Sequence, residues 1–301
     1  MSRRYALLDV FASTPLEGNQ LAVVLDGDGL DGARMQAIAA EFNLAETVFV
    51  LAPRAANHRA HIRIFTPTHE LPFAGHPTVG TAVLLALGDQ EGRGDPTDAM
   101  LVLEEEVGAV RCVVAPRGER IGHAIFDLPR LPRPADFTLD AERVATAFGL
   151  SAAEIGFENH EVSAFDAGVP YAFVPVRDLS VIGRLRPYEP YWSAAFPKQV
   201  AAYLYTRETV DAGRQFHARM FWHGKGFVED PATGSAVAAF AGVIQTFDRP
   251  TSGAHHHRIE QGFEMGRPSV IQLECDVEGQ GLHAARIGGD AVIVGRGTLY
   301  A

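Results

Sequence analysis

The chain reads as an α+β protein of two pseudo-symmetric lobes, each a mixed β-sheet wrapped around one central apolar helix. Three observations predict this. The same series of blocks occurs twice, first as Gly18-Asn-Gln-Leu-Ala-Val-Val24, His61-Ile-Arg-Ile-Phe65 and Glu70-Leu-Pro-Phe-Ala-Gly-His76. The second copy is Gly168-Val-Pro-Tyr-Ala-Phe-Val174, His217-Ala-Arg-Met-Phe221 and Glu229-Asp-Pro-Ala-Thr-Gly-Ser235. Matching positions lie 150, 156 and 159 residues apart, so order is kept while insertions accumulate, as in a duplicated domain and not a short solenoid repeat. Second, each last block runs into a helix that is apolar on every face, residues 77–87 and 236–244, and such a helix must be surrounded by other structure. Third, strand-like segments flank both helices, so each lobe's sheet wraps its own helix.

In chain order, Leu7 to Val10 and Leu21 to Leu25 read as strands around a polar turn, Gly32 to Glu41 as a helix, and Thr47 to Val50 and Ile62 to Phe65 as strands. Leu101 to Leu103 and Val110 to Val114 form a hairpin through Val107-Gly108-Ala109, with Glu104 to Glu106 as its solvated end. The stretch Asp127 to Pro134 carries three prolines in eight residues and cannot be helix. It is the expected linker, 128–134, between an N-terminal lobe (1–127, joined by the last strand, about 286–301) and a C-terminal lobe (135–285). Pro77 suits a first helical turn, which places Gly75-His76 at one helix N-terminus and Thr233-Gly234-Ser235 at the other.

A chain of 301 residues is long enough for two such lobes, each with its own core. Lys and Arg number 26 against 37 Asp and Glu, a net charge of −11, which argues against nucleic acid or an anionic membrane as partner. Cys112 and Cys275, one per half, form no disulfide framework and have no metal-ligand spacing. Asp9 interrupts the apolar run after Arg3-Arg4, and nowhere do about 18 apolar residues follow one another, so a cytoplasmic protein is expected. Motifs of the GxxxxGK[ST], GxGxxG, GxSxG and HExxH types are absent.

The chemistry concentrates at the two glycine blocks. A helix N-terminus offers free N–H groups and the positive end of a dipole, and glycine lets a carboxylate or phosphate come close. Two such ends facing across one cleft would supply the positive potential that the net charge does not. Beside them stand His76, able to hold or pass a proton near neutral pH, and Asp230, able to orient an amine or share a proton. Ser235 reads as an N-cap or a catalytic hydroxyl, His76 as a capping or packing residue or an acid–base group, and Asp230 as an Asx-turn residue or a site carboxylate. Their recurrence at matched positions favours one shared site. Glu46 closes Asn43-Leu-Ala-Glu46, a capping-box pattern, but a strand follows it and not a helix. A carboxyl next to Val48 and Phe49 is partly desolvated, which suits a general base that must also release its proton. The tract His255-His256-His257 is read as an exposed loop, since adjacent side chains rarely converge on one ion.

Taken together, Phe11 with Gly18-Asn19, Asn43 to Glu46, Arg63 to Pro67, Glu70 to Pro77 and Glu229 to Ala236 resemble the phenazine-biosynthesis (PhzF-like) isomerase family over essentially the whole chain. The resemblance implies the diaminopimelate-epimerase-like fold, a homodimer, and proton transfer with no cofactor and no metal. In the phenazine enzyme a glutamate moves a proton between ring carbons of a dihydro-hydroxyanthranilate. By motif match that glutamate is Glu46; His76, Asp230 and Ser235 fill the other catalytic positions, and Asn19, Gly75 and Gly234 bind substrate. The epimerase branch uses a cysteine pair that neither glycine block contains, and His223 stands where the family's phenazine enzymes carry proline. The leading reading is therefore an isomerase of a small carboxylate-bearing metabolite. The rivals are a racemase or epimerase with Glu46 and His76 as its two bases, and a metabolite-binding protein that turns nothing over.

Overall fold

The computed structural model describes residues 2–90, 97–224 and 226–301. It divides into two compact units, Met1–Pro129 with Ile287–Ala301, and Arg130–Arg286.

The first unit is built from β1 (Ser2–Val10), β2 (Asn19–Val24), α1 (Gly32–Phe42), β3 (Glu46–Leu51), β4 (Ala60–Phe65), β5 (Glu70–Leu71), α2 (Gly75–Gln90), β6 (Ala99–Glu105), β7 (Gly108–Pro116) and β8 (Ile121–Asp127). Strands β2 and β3 pair in parallel, as do β4 and β6, while β3–β4, β4–β5, β6–β7 and β7–β8 are antiparallel. Helix α2 fills the inside of this mixed sheet: every residue from Gly75 to Leu87 is buried, against β1, β2, β3, β6, β7 and β8. A Cβ on Gly80 would lie 2.6 Å from Leu21 Cδ2 and 2.7 Å from Val10 Cγ2, so the missing side chain lets the helix seat on β1 and β2. Helix α1 covers the other face through Met35, Ile38 and Ala39 on Val24, Phe49 and Phe65.

The second unit comprises β9 (Arg133–Pro134), α3 (Ala141–Ala147), β10 (Ser163–Asp166), β11 (Pro170–Pro175), α4 (Leu179–Arg184), α5 (Glu189–Ala195), β12 (Ala201–Thr206), β13 (Phe216–His223), β14 (Phe227–Asp230), α6 (Gly234–Phe247), β15 (Gly253–Gln261), β16 (Ser269–Glu278) and the start of β17 (Gly281–Tyr300). From Ile287 onward β17 belongs to the first unit, where it pairs antiparallel with β1. Pairing repeats that of the first unit: β11–β12 and β13–β15 are parallel, and β12–β13, β13–β14 and β15–β16 antiparallel. Helix α6 is the buried centre, and α3, α4 and α5 cover the outer face over Phe148, Trp192, Phe196 and Phe221. Each unit is thus the α+β, helix-centred sheet expected of the epimerase-like fold.

The duplication extends to polar detail. Arg63 forks onto Glu70 at 2.6 Å through both Nε and Nη2, and Arg219 onto Glu229 at 2.7 and 2.8 Å. Glu104 accepts the Arg54 and Ala55 backbone N–H groups, and Glu260, 156 residues on, accepts those of Val210 and Asp211. In each unit one buried carboxylate thus satisfies the loop that joins the matched strands.

Several expectations change. Glu104 and Glu105 are not a solvated end but are 7% and 4% exposed; the inward face of β6 carries Glu105 to Thr78 of α2. The histidine tract is not a loop: it lies within β15, where alternation buries His257 more than His256 and burial pushes its imidazole down to about 4. Asn43 opens no capping box; at φ 51° it ends α1 as a left-handed C-cap, its N–H donating to Ala39 O. Both central helices start earlier than predicted, so Gly75-His76 and Gly234-Ser235 form their first turns, with Thr233 as the N-cap of α6.

Candidate active site

In the first unit Glu46 opens β3 and His76 stands in the first turn of α2. The parallel pairing of β2 with β3 sets Glu46 opposite Leu21. His76 is buried and hydrogen-bonds the Gln20 backbone, next to the buried Asn19. Its Nε2 lies 3.1 Å from Glu46 Oε2. Burial, opposed only in part by the Gln20 bond, pushes the imidazole down to about 3, so His76 is neutral near pH 7 and does not titrate there as expected from sequence. Gly18, at φ 67°, turns the chain into Asn19 where a Cβ would meet Val10 O at 2.4 Å, so only glycine fits.

In the second unit Ser235 is not the N-cap of α6. Its Oγ lies 2.7 Å from the hydroxyl of the buried Tyr171 on β11. Asp230 ends β14, and its Oδ2 accepts a hydrogen bond from Thr233 Oγ1 at 2.5 Å. The bond ties the end of β14 to the N-cap of α6. Gln261, 0% exposed, holds the loop from Asp230 to Thr233 through its amide. His223 is drawn into local packing: Nε2 is 2.5 Å from Glu189 Oε2 and its ring stands 4.7 Å from that of Phe227.

The two half-sites have diverged at matched positions. Leu21 pairs with Glu46 in the first unit, and Tyr171 with Ala201 in the second. The first therefore carries a carboxyl beside a helix-start histidine, the second a phenol beside a helix-start serine. Tyr171, Thr233 and Gln261 were missed from sequence. Tyr171 had a signal, since it is the polar residue of the second copy where the first has Leu21; Gln261 had none, because the contact spans about thirty residues. Cys112 and Cys275 are both buried, and burial pushes both thiols up, Cys275 to about 12, so neither is a ready acid or base.

Comparison with known proteins identifies the family. A family model described as phenazine biosynthesis-like protein matches residues 8–297. An uncharacterized isomerase of Mesorhizobium japonicum is 51% identical, with 99% of each chain covered. The trans-2,3-dihydro-3-hydroxyanthranilate isomerase of Pseudomonas fluorescens is 35% identical over 98% of each. The crystal structure of a PhzF-family phenazine biosynthesis protein from Bacillus anthracis superposes with a TM-score of 0.87 at 26% identity, covering 100% of both chains. No described helix is long and apolar enough to cross a membrane. The chain belongs to the PhzF-like phenazine biosynthesis family and is an isomerase of that family.

Proposed function

We propose that this protein moves a proton between two carbons of a small, carboxylate-bearing, dihydro-hydroxyanthranilate-like metabolite, with Glu46 as the carrier and without an external cofactor. The observation that carries this reading is the placement of Glu46 Oε2 against His76 Nε2 at 3.1 Å. His76 hydrogen-bonds the Gln20 backbone and its Nε2 has no hydrogen-bond partner among the described residues, so the neutral ring presents a lone pair at Nε2. One proton between carboxyl and ring then satisfies both. Glu46 as carboxylate takes a proton from carbon, and the electron pair left behind shifts through the conjugated ring. Held as neutral acid against Nε2, the proton is returned to a second carbon, so charge and atoms balance. In this reading Asp230 and Ser235 hold the substrate's polar substituents, while the N–H groups at Gly75 and Gly234 and the Asn19 side chain receive its carboxylate. The same reading makes the protein a cytoplasmic homodimer with no nucleic-acid partner, in line with its charge of −11.

Substitution of Glu46 by Gln keeps size and shape but cannot accept the proton. On trans-2,3-dihydro-3-hydroxyanthranilic acid it is expected to lower turnover at least about a hundredfold with substrate binding nearly unchanged. Exchange of the substrate C–H with deuterium, followed by nuclear magnetic resonance, reads the step directly. Exchange as fast in the variant as in the wild type would make Glu46 structural and move the base to His76 or Asp230.

A further inference from the structure

We propose that the fork at which β4 leaves β6 for β5 is a second binding site, which takes a small monocarboxylate with an apolar body into the place that a glutamate of the chain itself fills in the second unit. Strand β4 pairs with β6 at Ala60 and His61 and with β5 at Ile64 and Phe65. Between the two pairings the strands part around a cavity of about 320 Å³, whose walls include Arg54, His61, Arg63, Leu71 and Pro72. His61 and Arg63 alternate along β4 with the buried Ile62 and Ile64. They therefore share the face of Phe65, which α1 covers, and not the face that α2 fills.

The second unit shows what such a fork holds. There β13 leaves β15 for β14, and His217 and Arg219 stand where β4 has His61 and Arg63. Glu264, carried by the turn after β15, sits 3.0 Å from His217 Nε2, and Arg219 Nη1 donates to Ile182 O and Leu185 O at 2.9 and 3.3 Å. His217 and Arg219 are accordingly 1% and 3% exposed. In the first unit the position 156 residues before Glu264 is Gly108, because β6 turns directly into β7. His61 Nε2 faces the Arg54 guanidinium at 3.0 Å instead of an acid. Among the described residues the Arg54 side chain meets no carboxylate, and Arg63 spends Nε and Nη2 on Glu70 while its Nη1 has no acceptor.

These donors suit a carboxylate, and the acids nearby select a monoanion. Glu104 is engaged by the Arg54 and Ala55 N–H groups and by His58, and Glu70 by Arg63. Glu105, also in the wall, is neutral near pH 7, since burial pushes it up to about 8. Glu106 is exposed at the rim and opposes a second negative charge, which disfavours phosphate. Leu71 and Pro72 give the apolar body a surface. Burial and the Arg54 charge hold His61 below the ordinary imidazole range, so the ring is neutral near pH 7 before anything binds. A carboxylate set between ring and guanidinium favours the charged ring, and binding draws a proton onto His61.

The test titrates sodium benzoate, at pH 7 and constant ionic strength, into protein labelled with carbon-13 at histidine Cε1, the His61 signal being assigned with His61→Gln. A saturable shift of that signal in the millimolar range is expected, with the His61 midpoint raised by about one pH unit at saturation. Arg54→Gln keeps the backbone N–H group that Glu104 uses but removes the charge, and should weaken benzoate at least about tenfold. Inorganic phosphate should bind at least about tenfold more weakly than benzoate. A His61 signal that benzoate leaves in place, or one that responds equally in folded Arg54→Gln protein, overturns the proposal. Should Arg54→Gln fail to fold, equal His61 midpoints with and without benzoate overturn it, and a raised midpoint supports it. Phosphate bound as tightly as benzoate overturns the assignment to a carboxylate. His76 gives a signal of its own, so benzoate bound beside Glu46 is told apart from benzoate in the fork, and the function proposed above stands or falls separately.

Discussion

Glu105 occupies in the first unit the register position that Gln261 occupies in the second: β6 aligns His61 with Glu104, and β15 aligns His217 with Glu260, so the next residue of each strand points behind its unit's glycine block. One is an acid and the other an amide. Burial pushes the Glu105 carboxyl up to about 8 although Thr78 donates to Oε1, and Oε2 meets no donor among the described residues. Folded protein thus keeps Glu105 protonated up to about pH 8, whereas the unfolded chain ionises it near 4.5.

Glu105→Gln should therefore stabilise the protein as pH rises. Between about 4.5 and 8 the native state binds the extra proton, so wild-type stability falls by about 1.4 kcal/mol per pH unit from this group. An amide does not titrate. Urea unfolding at pH 5 and pH 8 is expected to show little difference between the proteins at the lower pH and a more stable variant at the higher. Equal pH slopes would mean that Glu105 ionises freely in the folded state.

His217 titrates with the opposite partner set. Burial alone would lower it, but hydrogen bonds to Glu260 at 2.9 Å and Glu264 at 3.0 Å prevail and hold the imidazole up to about 9. The pair's contribution is complete below about pH 6.5 and is lost as pH rises through about 9. His217→Gln should cost about 3–5 kcal/mol at pH 7, because it removes the positive partner of the buried Glu260 carboxylate and leaves it only the Val210 and Asp211 N–H donors and a neutral amide. The deficit should shrink by pH 10, as measured by chemical denaturation at the two pH values.

Two glycines with left-handed backbones separate strain from crowding. Gly18→Ala faces both a φ of 67° and the Val10 carbonyl at 2.4 Å, and is expected to cost about 2–4 kcal/mol. Gly29→Ala, at φ 79° with nothing within 4 Å, should cost only about 1 kcal/mol. Melting temperatures rank them, and equal losses would show that the turn before Asn19 yields.

Tyr171→Phe removes one hydroxyl from the 2.7 Å contact with Ser235 and leaves the ring in place. On the proposed substrate, kcat/KM should fall about three- to tenfold, the worth of one neutral hydrogen bond, with the melting temperature nearly unchanged. An unaltered kcat/KM would reduce Tyr171 to packing.

The amino-acid sequence by itself determined the duplication, the two apolar central helices, the family and the residues of the glycine blocks, because each is written in local order or in recurrence at a constant spacing. Glu46 was legible for the same reason: a strand follows it, so its carboxyl could not be spent on a helix cap. Tertiary structure alone decided what reaches what. Pairing of β4 with β6 and of β13 with β15 buried Glu104 and Glu260 as loop anchors, a role invisible in a run of three glutamates. Strand pairing carried His255 to His257 out of a loop, enclosure made His76 neutral, and the end of β15 brought Gln261 to Asp230. A side chain's charge state and its partner depend on which groups surround it and on how much water they exclude, and for these residues the neighbours lie tens of positions away along the chain.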